Sequence, residues 1–490
     1  MNDISTDIIG LAVGHLQKKY NANISTEYYA DIKNWRMWWE GYVDDVHSYQ
    51  QKGVDGRARK RKMFRLGMAK RVCEDWAALL LNEKTEIAVE HKGSSLFLQG
   101  EDGTGGVFRD NNFWTEGNEL LEKAFAFGTG AFVARAENAK VNEKGSIVPD
   151  RECKVGIEYI DALSIIPLSV SKSRITECAF VSSFTKMGKQ GCYIECHTKD
   201  ETGNYIIENE YFIIDGMNLK KADLPESVAG RIETGSNIPW FAIIYPNVAN
   251  NIRYNNGMGM SVYANALDNL LGVDIAFNNF LRDFKLGGKK VFYNKSMLQT
   301  NEKGETITPD DVAQQLFQML GEDGDFDAKT VYQEYNPSLR VTENKEGVQA
   351  QLDYLSFKCG MGTHRYKFEA GGVKTATEYS GERQELVQHA NRHMIPLECA
   401  LQTLCRAILY IGKTFCSADC DADTSITIRF EDGFVIDDET RRERDRQDIR
   451  DGLMQTWEYR VKWYGETEEE AKAMIADMKT QTENPFGFMG

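Results

Sequence analysis

Residues 261–286, SVYANALDNLLGVDIAFNNFLRDFKL, carry the clearest helical pattern in the chain. Tyr263, Leu267, Leu270, Leu271, Phe277, Phe280, Leu281 and Phe284 recur at spacings that lay apolar side chains along one stripe of an α-helix. Ser261 is a residue type that accepts hydrogen bonds from first-turn N–H groups, so it is the expected N-cap, and Gly287 with Gly288 is the expected stop. At the helical rise these residues would span about 40 Å.

Working downstream, residues 289 to 341 read as an α+β insert, after which Val348, Leu352, Leu355 and Cys359 restore helical spacing. A polar, glycine-containing loop occupies 362–374 and ends at Thr375-Ala376-Thr377-Glu378, where Thr375 and Glu378 fit a capping box. The helix this opens is expected to run to about 415 through Leu386, Ala390, Met394, Leu397, Leu401, Leu404, Cys405 and Ile408. Pro396 lies inside it. The apolar period stays in phase on both sides, so a kink is expected there and not an end. The tail reads as a strand pair, SITIRF with GFVID, then two helices from about 438 to 480, the second capped by Thr467 and Glu470.

Upstream, residues 1 to about 90 are helical by period and rich in aromatics, with Trp35, Trp38 and Trp39 close together. A core helix is expected around MFRLGMAKRVCEDWAALLLNEKTEI, with Met63, Leu66, Met68, Val72, Trp76, Leu79 and Leu80 near helical spacing. From about 91 to 255 the helix NELLEKAFAFGTG gives way to short alternating runs such as GAFVARAE, VGIEYIDA, AFVSSFTK and NYIIENEYFIID, which predict antiparallel strands. The fold class expected is α+β.

The chain has 490 residues and a net charge of −16, which argues against static gripping of nucleic acid but suits a conduit through which DNA must slide. No stretch approaches about 20 uninterrupted apolar residues, and the N-terminus lacks the pattern of a signal peptide, so a soluble, unexported protein with no membrane partner is expected. The ten cysteines show no CxxC pair and read as reduced core residues. Cys192, Cys196 and His197, or Cys416 with Cys420, do not match the spacing of a structural zinc site, so no metal and no cofactor are expected. Neither GEDGTGG at 100–106 nor LGGKK at 286–290 has the spacing of a phosphate loop, and no catalytic constellation is visible, so the chain reads as a non-enzyme.

Several features, in this order over nearly the whole chain, resemble the portal proteins of long-tailed bacteriophages, of the type common among phages of Gram-positive hosts. They are Leu66-Gly67-Met68-Ala69-Lys70 with Trp76-Ala77 and Asn82-Glu83-Lys84, then Gly371-Gly372 before Thr375-Ala376-Thr377-Glu378, and the closing GETEEEAKAMIADM. The resemblance implies a ring, usually dodecameric, at one capsid vertex, the channel for DNA packaging and ejection. It implies residues 1–260 as wing, 261–286 as a stem helix, 287–342 as clip, 343–361 as the returning stem helix and 362–377 as the tunnel loop. Residues 378–437 would be the long kinked wing helix with a strand pair, and 438–490 the crown. The implied partners are other copies of the chain, double-stranded DNA, the terminase large subunit, a head-completion or adaptor protein, and the major capsid or scaffold protein. The implied locations are the virion and, during assembly, the host cytoplasm. Another minor capsid-associated protein, or a phage DNA-processing enzyme, is the alternative.

Within the loop, Arg365, Lys367 and Lys374 outnumber Glu369 and Glu378, so repeated around a ring it could make weak, salt-sensitive phosphate contacts. Gly371 and Gly372 permit the backbone freedom such a loop needs, and the kink at Pro396 offers a hinge. The basic run 57–71, RARKRKMFRLGMAKR, reads as a solvated helix start, an intersubunit salt-bridge face, or a patch for DNA or the capsid.

Overall fold

The computed structural model describes residues 6–52, 56–101, 105–142, 147–150, 152–186, 188–225, 228–253, 257–293, 317–319, 332–367, 376–430, 438–452, 454–464 and 466–483. The chain forms two compact units, Met1–Phe430 and Glu431–Gly490.

The first unit opens with α1 (Thr6–Tyr20), α2 (Glu27–Trp39) and the one-turn α3 (Asp44–His47). Helix α2 buries Tyr28, Tyr29, Ile32, Trp35 and Trp38, and the Trp39 ring nitrogen donates to Glu122 at 2.8 Å. A hairpin follows, β1 (Ser48–Lys52) with β2 (Ala58–Lys62), and then α4 (Met68–Leu80). The helix expected from Met63 starts five residues later. Gly67 sits at φ +69, and the N–H groups of Phe64 and Leu66 donate to side chains of another helix instead of feeding a helical ladder. The start of the basic run is thus strand β2 and not a helix start. Strand β3 (Thr85–Val89), α5 (Lys92–Gln99), α6 (Gly106–Asp110) and α7 (Phe113–Phe127) complete the helical layer. Helix α7 ends on Gly128 at φ +88, packed so closely against Gly259 that a side chain at either position would strike backbone.

The β region is antiparallel, as the alternating runs predict. Its strands are β4 (Gly130–Glu137), β5 (Lys140–Val141), β6 (Ile147–Val148), β7 (Lys154–Asp161), β8 (Ile165–Ser171), β9 (Arg174–Lys186), β10 (Lys189–Lys199), β11 (Tyr205–Asp215), β12 (Asn218–Ala222), β13 (Arg231–Glu233) and β14 (Phe241–Ile244). One sheet runs β12-β11-β10-β9-β8 with β13 added to β11, and a second runs β14-β4-β7.

Helix α8 (Leu267–Leu286) follows a 3₁₀ turn at Ala264–Ala266. It is shorter than expected, and Ser261 is not its cap: that side chain is fully buried and accepts from Tyr263 N at 3.4 Å, while the Tyr263 hydroxyl donates to Trp35 O at 2.8 Å. Gly287 does end the helix. Strands β15 (Lys290–Tyr293), β16 (Phe317–Met319) and β17 (Tyr332–Tyr335) form a small mixed sheet, and α9 (Val341–Lys358) returns. Helix α10 (Ala376–Thr414) is 39 residues long and continues through Pro396. Among the described residues it is the one helix apolar enough over its length, Gln384–Thr414, to cross a membrane, yet half of its most apolar window is buried inside the fold, against β4, β14, β18, α4 and α5.

Strand β18 (Ile426–Phe430), the expected SITIRF strand, pairs with β3, more than 300 residues earlier. Residues 433–437 of the expected SITIRF–GFVID pair lie outside the described residues, as does Thr375 of the expected capping box. Among its described residues the second unit has three helices where two were expected, α11 (Asp438–Arg450), α12 (Thr456–Tyr464) and α13 (Glu468–Glu483). The Thr467 capping box is formed: Glu470 N donates to Thr467 Oγ1 at 3.3 Å, and Thr467 N to Glu470 Oε2 at 3.0 Å.

Candidate functional site

Helices α8 and α9 pack as an antiparallel pair. Gly272 faces Gln351 so closely that a side chain there would meet its amide, and Asp283 takes Arg340 through two nitrogens, at 2.7 and 3.1 Å, and Asn344 at 2.7 Å. Rising numbers on one helix therefore meet falling numbers on the other. One side of the pair is buried through Leu270, Val273, Val348, Leu352 and Leu355. Away from it Ile275, Phe284, Leu286, Val341, Tyr354 and Phe357 are 42 to 61% exposed. Six large apolar side chains are thus left in water on one helical hairpin of a single chain.

The pair is tied to the rest of the unit by polar side chains set within its apolar stripe. Asp274 Oδ1 accepts from Leu66 N at 2.7 Å, its Oδ2 lies 3.1 Å from His47 Nε2, and Asn278 Oδ1 accepts from Phe64 N at 3.1 Å. His47 is fully buried, and its Nδ1 accepts from Val43 N at 2.9 Å, so its proton sits on Nε2 and is donated to Asp274. Burial pushes the His47 pKa down, against the opposing pull of Asp274.

The chain leaves α9 through Cys359, whose carbonyl accepts from Trp76 Nε1 at 3.3 Å, and turns at Gly360, φ +75, and Gly362, φ +79. The following residues are anchored. His364 Nδ1 lies 3.1 Å from Asp353 Oδ2, Gln349 Nε2 donates to Tyr366 O at 2.9 Å, and Arg365 Nε lies 3.7 Å from Asp75 Oδ2 on α4. Arg71 holds the other Asp75 oxygen at 2.9 Å. Of the five loop residues expected to meet DNA, Arg365 thus faces a buried carboxylate of its own chain, Lys367 is exposed, and Gly371, Gly372 and Lys374 lie outside the described residues.

Pro396 cannot donate to the carbonyl four residues back, that of Arg392. Asn247, just after β14, supplies the missing bond: its Nδ2 donates to Arg392 O at 2.7 Å, and its backbone N–H donates to His393 Nδ1 at 2.9 Å. The His393 ring is held edge-on to Trp76 and Phe125, with centroids 4.8 and 5.0 Å away. Burial first, then the neighbouring His389 and Arg392, push its pKa down to about 3, so the imidazole is neutral. Next to Pro396 lies a cleft of about 360 Å³ lined by Arg174, Tyr205, Tyr245 and Ile395. Nothing local in the sequence pointed to Asn247, which acts across 146 residues. Asp274 and Asn278 did leave a signal, two polar residues one turn apart inside an apolar helix.

Among the described residues no group of three or more His, Cys, Asp or Glu side chains is arranged to hold a metal. His197 Nε2 instead bonds Glu195 at 2.7 Å, and Arg135 reaches the same carboxylate at 2.7 Å. Burial opposes ionisation of Glu195, but Arg135, His197 and Tyr193 outweigh it and bring the pKa down to about 2. Cys192 and Cys196 are buried, which raises both thiols to about 12.

A family model described as phage portal protein, SPP1 Gp6-like, matches residues 15–483. No curated protein matches the chain.

Proposed function

Because the chain belongs to the SPP1 Gp6-like phage portal proteins, structural components of the bacteriophage capsid that serve DNA packaging, we propose that it closes into a dodecameric ring at one capsid vertex. Double-stranded DNA passes through the ring's channel during packaging and ejection. Helices α8 and α9 are the stem, residues 287–342 between them the clip that meets terminase and the head-completion protein, and 362–377 the tunnel loop. Residues 1–260 and 378–437 form the wing, and 438–490 the crown.

The observation that carries this reading is the α8 and α9 hairpin. It straddles an insert and leaves Ile275, Phe284, Tyr354 and Phe357 in water on a single chain, an arrangement that neighbouring copies would cover. Negative-stain images and sedimentation of purified protein test it. Rings with a central hole are expected, and compact monomers over a wide concentration range would refute it.

The loop is proposed as the element that touches DNA, and α10 as the lever behind it, with Pro396 as hinge. Lys367 and Lys374 supply the positive charge, Gly371 and Gly372 the freedom to move, and Arg365 anchors the loop base to α4 through Asp75. Replacing Lys374 with Glu, or Gly371 and Gly372 with Ala, is expected to leave rings intact while lowering packaging. Normal packaging by both variants would remove the loop from the DNA path.

A further inference from the structure

Ten cysteines are spread along the chain, and the fold brings two of them together from opposite halves of the first unit. Helix α10 ends in a tightly wound cap. Phe415 N and Cys416 N both donate to Ile411 O, at 2.9 and 3.3 Å, Ala418 N donates to Gly412 O at 3.0 Å, and Ser417 is left-handed at φ +56. Against this cap lies the turn that feeds β7. Asp150 N donates to Phe415 O at 2.9 Å, and Cys153 N closes back onto Asp150 O at 3.1 Å. Phe415 is itself buried, its ring edge-on to Trp240 with centroids 5.7 Å apart. Two fixed turns therefore mount Cys416, next after Phe415, and Cys153, just before β7, and their side chains share a hydrogen bond in which the Cys416 thiol donates to the Cys153 sulfur.

Other thiols are placed differently. Cys73, Cys178, Cys192, Cys196, Cys359 and Cys405 are buried, and burial pushes all six upward, which makes them inert. Cys153 is instead drawn below its ordinary value by the bond from Cys416, against the opposing effect of burial. Cys416 is half-buried, so solvent reaches the pair from its side.

We propose that Cys153 and Cys416 are a redox pair that closes into an intrachain disulfide, with a small peroxide as the oxidant. The Cys153 thiolate attacks one oxygen of hydrogen peroxide, the O–O bond breaks, and hydroxide leaves and takes up a proton as water, so that Cys153 becomes a sulfenic acid. Cys416 then gives up its proton and attacks the Cys153 sulfur; the S–O bond breaks, a second water leaves, and the S–S bond forms. Two thiols and one hydrogen peroxide become one disulfide and two waters, with two electrons passing from the sulfurs to the peroxide. Sulfurs already in hydrogen-bond contact need only approach to the bonded separation of about 2 Å.

The bond fastens the end of α10 to β7 and closes a loop of roughly 260 residues, which restricts the unfolded chain more than a short loop would. Thiols stay reduced in a cytosol and pair outside it, so the reduced form belongs to assembly and the oxidised form to the released particle. That assignment rests on the portal reading, whereas the pairing itself does not.

The test is peroxide treatment of the folded full chain carrying Cys399→Ser, which removes an exposed thiol. After a few-fold molar excess of hydrogen peroxide, remaining thiols are blocked with N-ethylmaleimide, and the denatured protein is digested without reduction for mass spectrometry. A linked peptide pair holding Cys153 and Cys416 is expected, with two fewer free thiols per chain and a urea midpoint above that of the reduced protein, all reversed by dithiothreitol. Cys153→Ser and Cys416→Ser in the same background, each checked for folding by circular dichroism, are expected to lose both the link and the midpoint shift. Should either variant fail to fold, the peptide map of the parent decides alone. An unchanged thiol count, a Cys416–Cys420 link in place of the Cys153–Cys416 link, or the same midpoint shift in the Cys153→Ser chain would overturn the pair. None of these outcomes touches the portal reading, which stands or falls on ring formation.

Discussion

Acid is expected to loosen the first unit through His393, three residues before the proline of α10. In the fold its pKa lies at about 3, against an ordinary value of 6.5, because the neutral ring is buried against Trp76 and Phe125. The unfolded chain therefore takes up a proton near pH 6.5 that the folded chain refuses until far lower pH. The contribution of neutral His393 is fully present above pH 6.5 and falls as the pH drops from there toward 3. One proton of difference gives a slope of about 1.4 kcal/mol per pH unit, so moving from pH 6.5 to 5 removes about 2 kcal/mol. His47, also lowered by burial, acts in the same direction, and a variant is needed to separate the two. His393→Gln keeps an acceptor for the Asn247 N–H and cannot charge. Urea unfolding followed by tryptophan fluorescence, with Trp76 in contact with the ring, is to be measured at several pH values for both proteins. The variant's baseline stability will differ, but its slope between pH 6.5 and 5 should be shallower by about 1.4 kcal/mol per unit. Parallel slopes would refute the assignment of a buried neutral imidazole to the hinge.

The remaining expectations concern the joints around that helix. Asn247→Ala should cost about 1 kcal/mol by orphaning the Arg392 carbonyl, and in a Pro396→Ala background, where the helix regains its own N–H for that carbonyl, the cost should shrink; equal costs in a double-mutant cycle would break the link. Asp274→Ala strands the Leu66 N–H and the His47 ring N–H in the interior and should destabilise the unit by about 3 kcal/mol in denaturant unfolding, with Asp274→Asn milder; a change within about 0.5 kcal/mol would count against the clamp. Purified protein is expected to hydrolyse no ATP and cleave no DNA with added divalent metal, and turnover abolished by a point change in this chain would contradict that.

The parts legible in the sequence are those fixed by local period. The α8 stripe, the return at Val348, Leu352 and Leu355, the alternation of β9 to β11 and the Thr467 box all depend on residues within a turn or a strand of one another. What escaped depends on distant pairing. SITIRF has the alternation of a strand, but its pairing with β3 joins segments more than 300 residues apart, and no local pattern records that. The basic run has helical spacing at Met63 and Leu66, yet tertiary bonds from Asp274 and Asn278 take the N–H groups a helix would have used. Ser261 has the chemistry of a cap, but it is buried at the Tyr263 turn and the helix starts five residues later, with Ala266 in the capping position. Of the proposed site, Pro396 was legible because proline acts on its own backbone, and Asn247 was not because it serves a carbonyl on another element.

Helix α4 explains why these distant pairings matter to the proposed machine. Its first turn follows the backbone that Asp274 grips, so it is fastened to α8. At its middle, Asp75 faces Arg365, and the adjacent Trp76 touches both the Cys359 carbonyl, where α9 ends, and the His393 ring before the proline. The proposed stem, loop base and hinge therefore all meet α4 or the two residues before it, through Leu66, Gly67, Asp75 and Trp76. Coupling among them is to be sought in double-mutant cycles that pair changes at Asp75 or Trp76 with changes at Asp274 or Pro396.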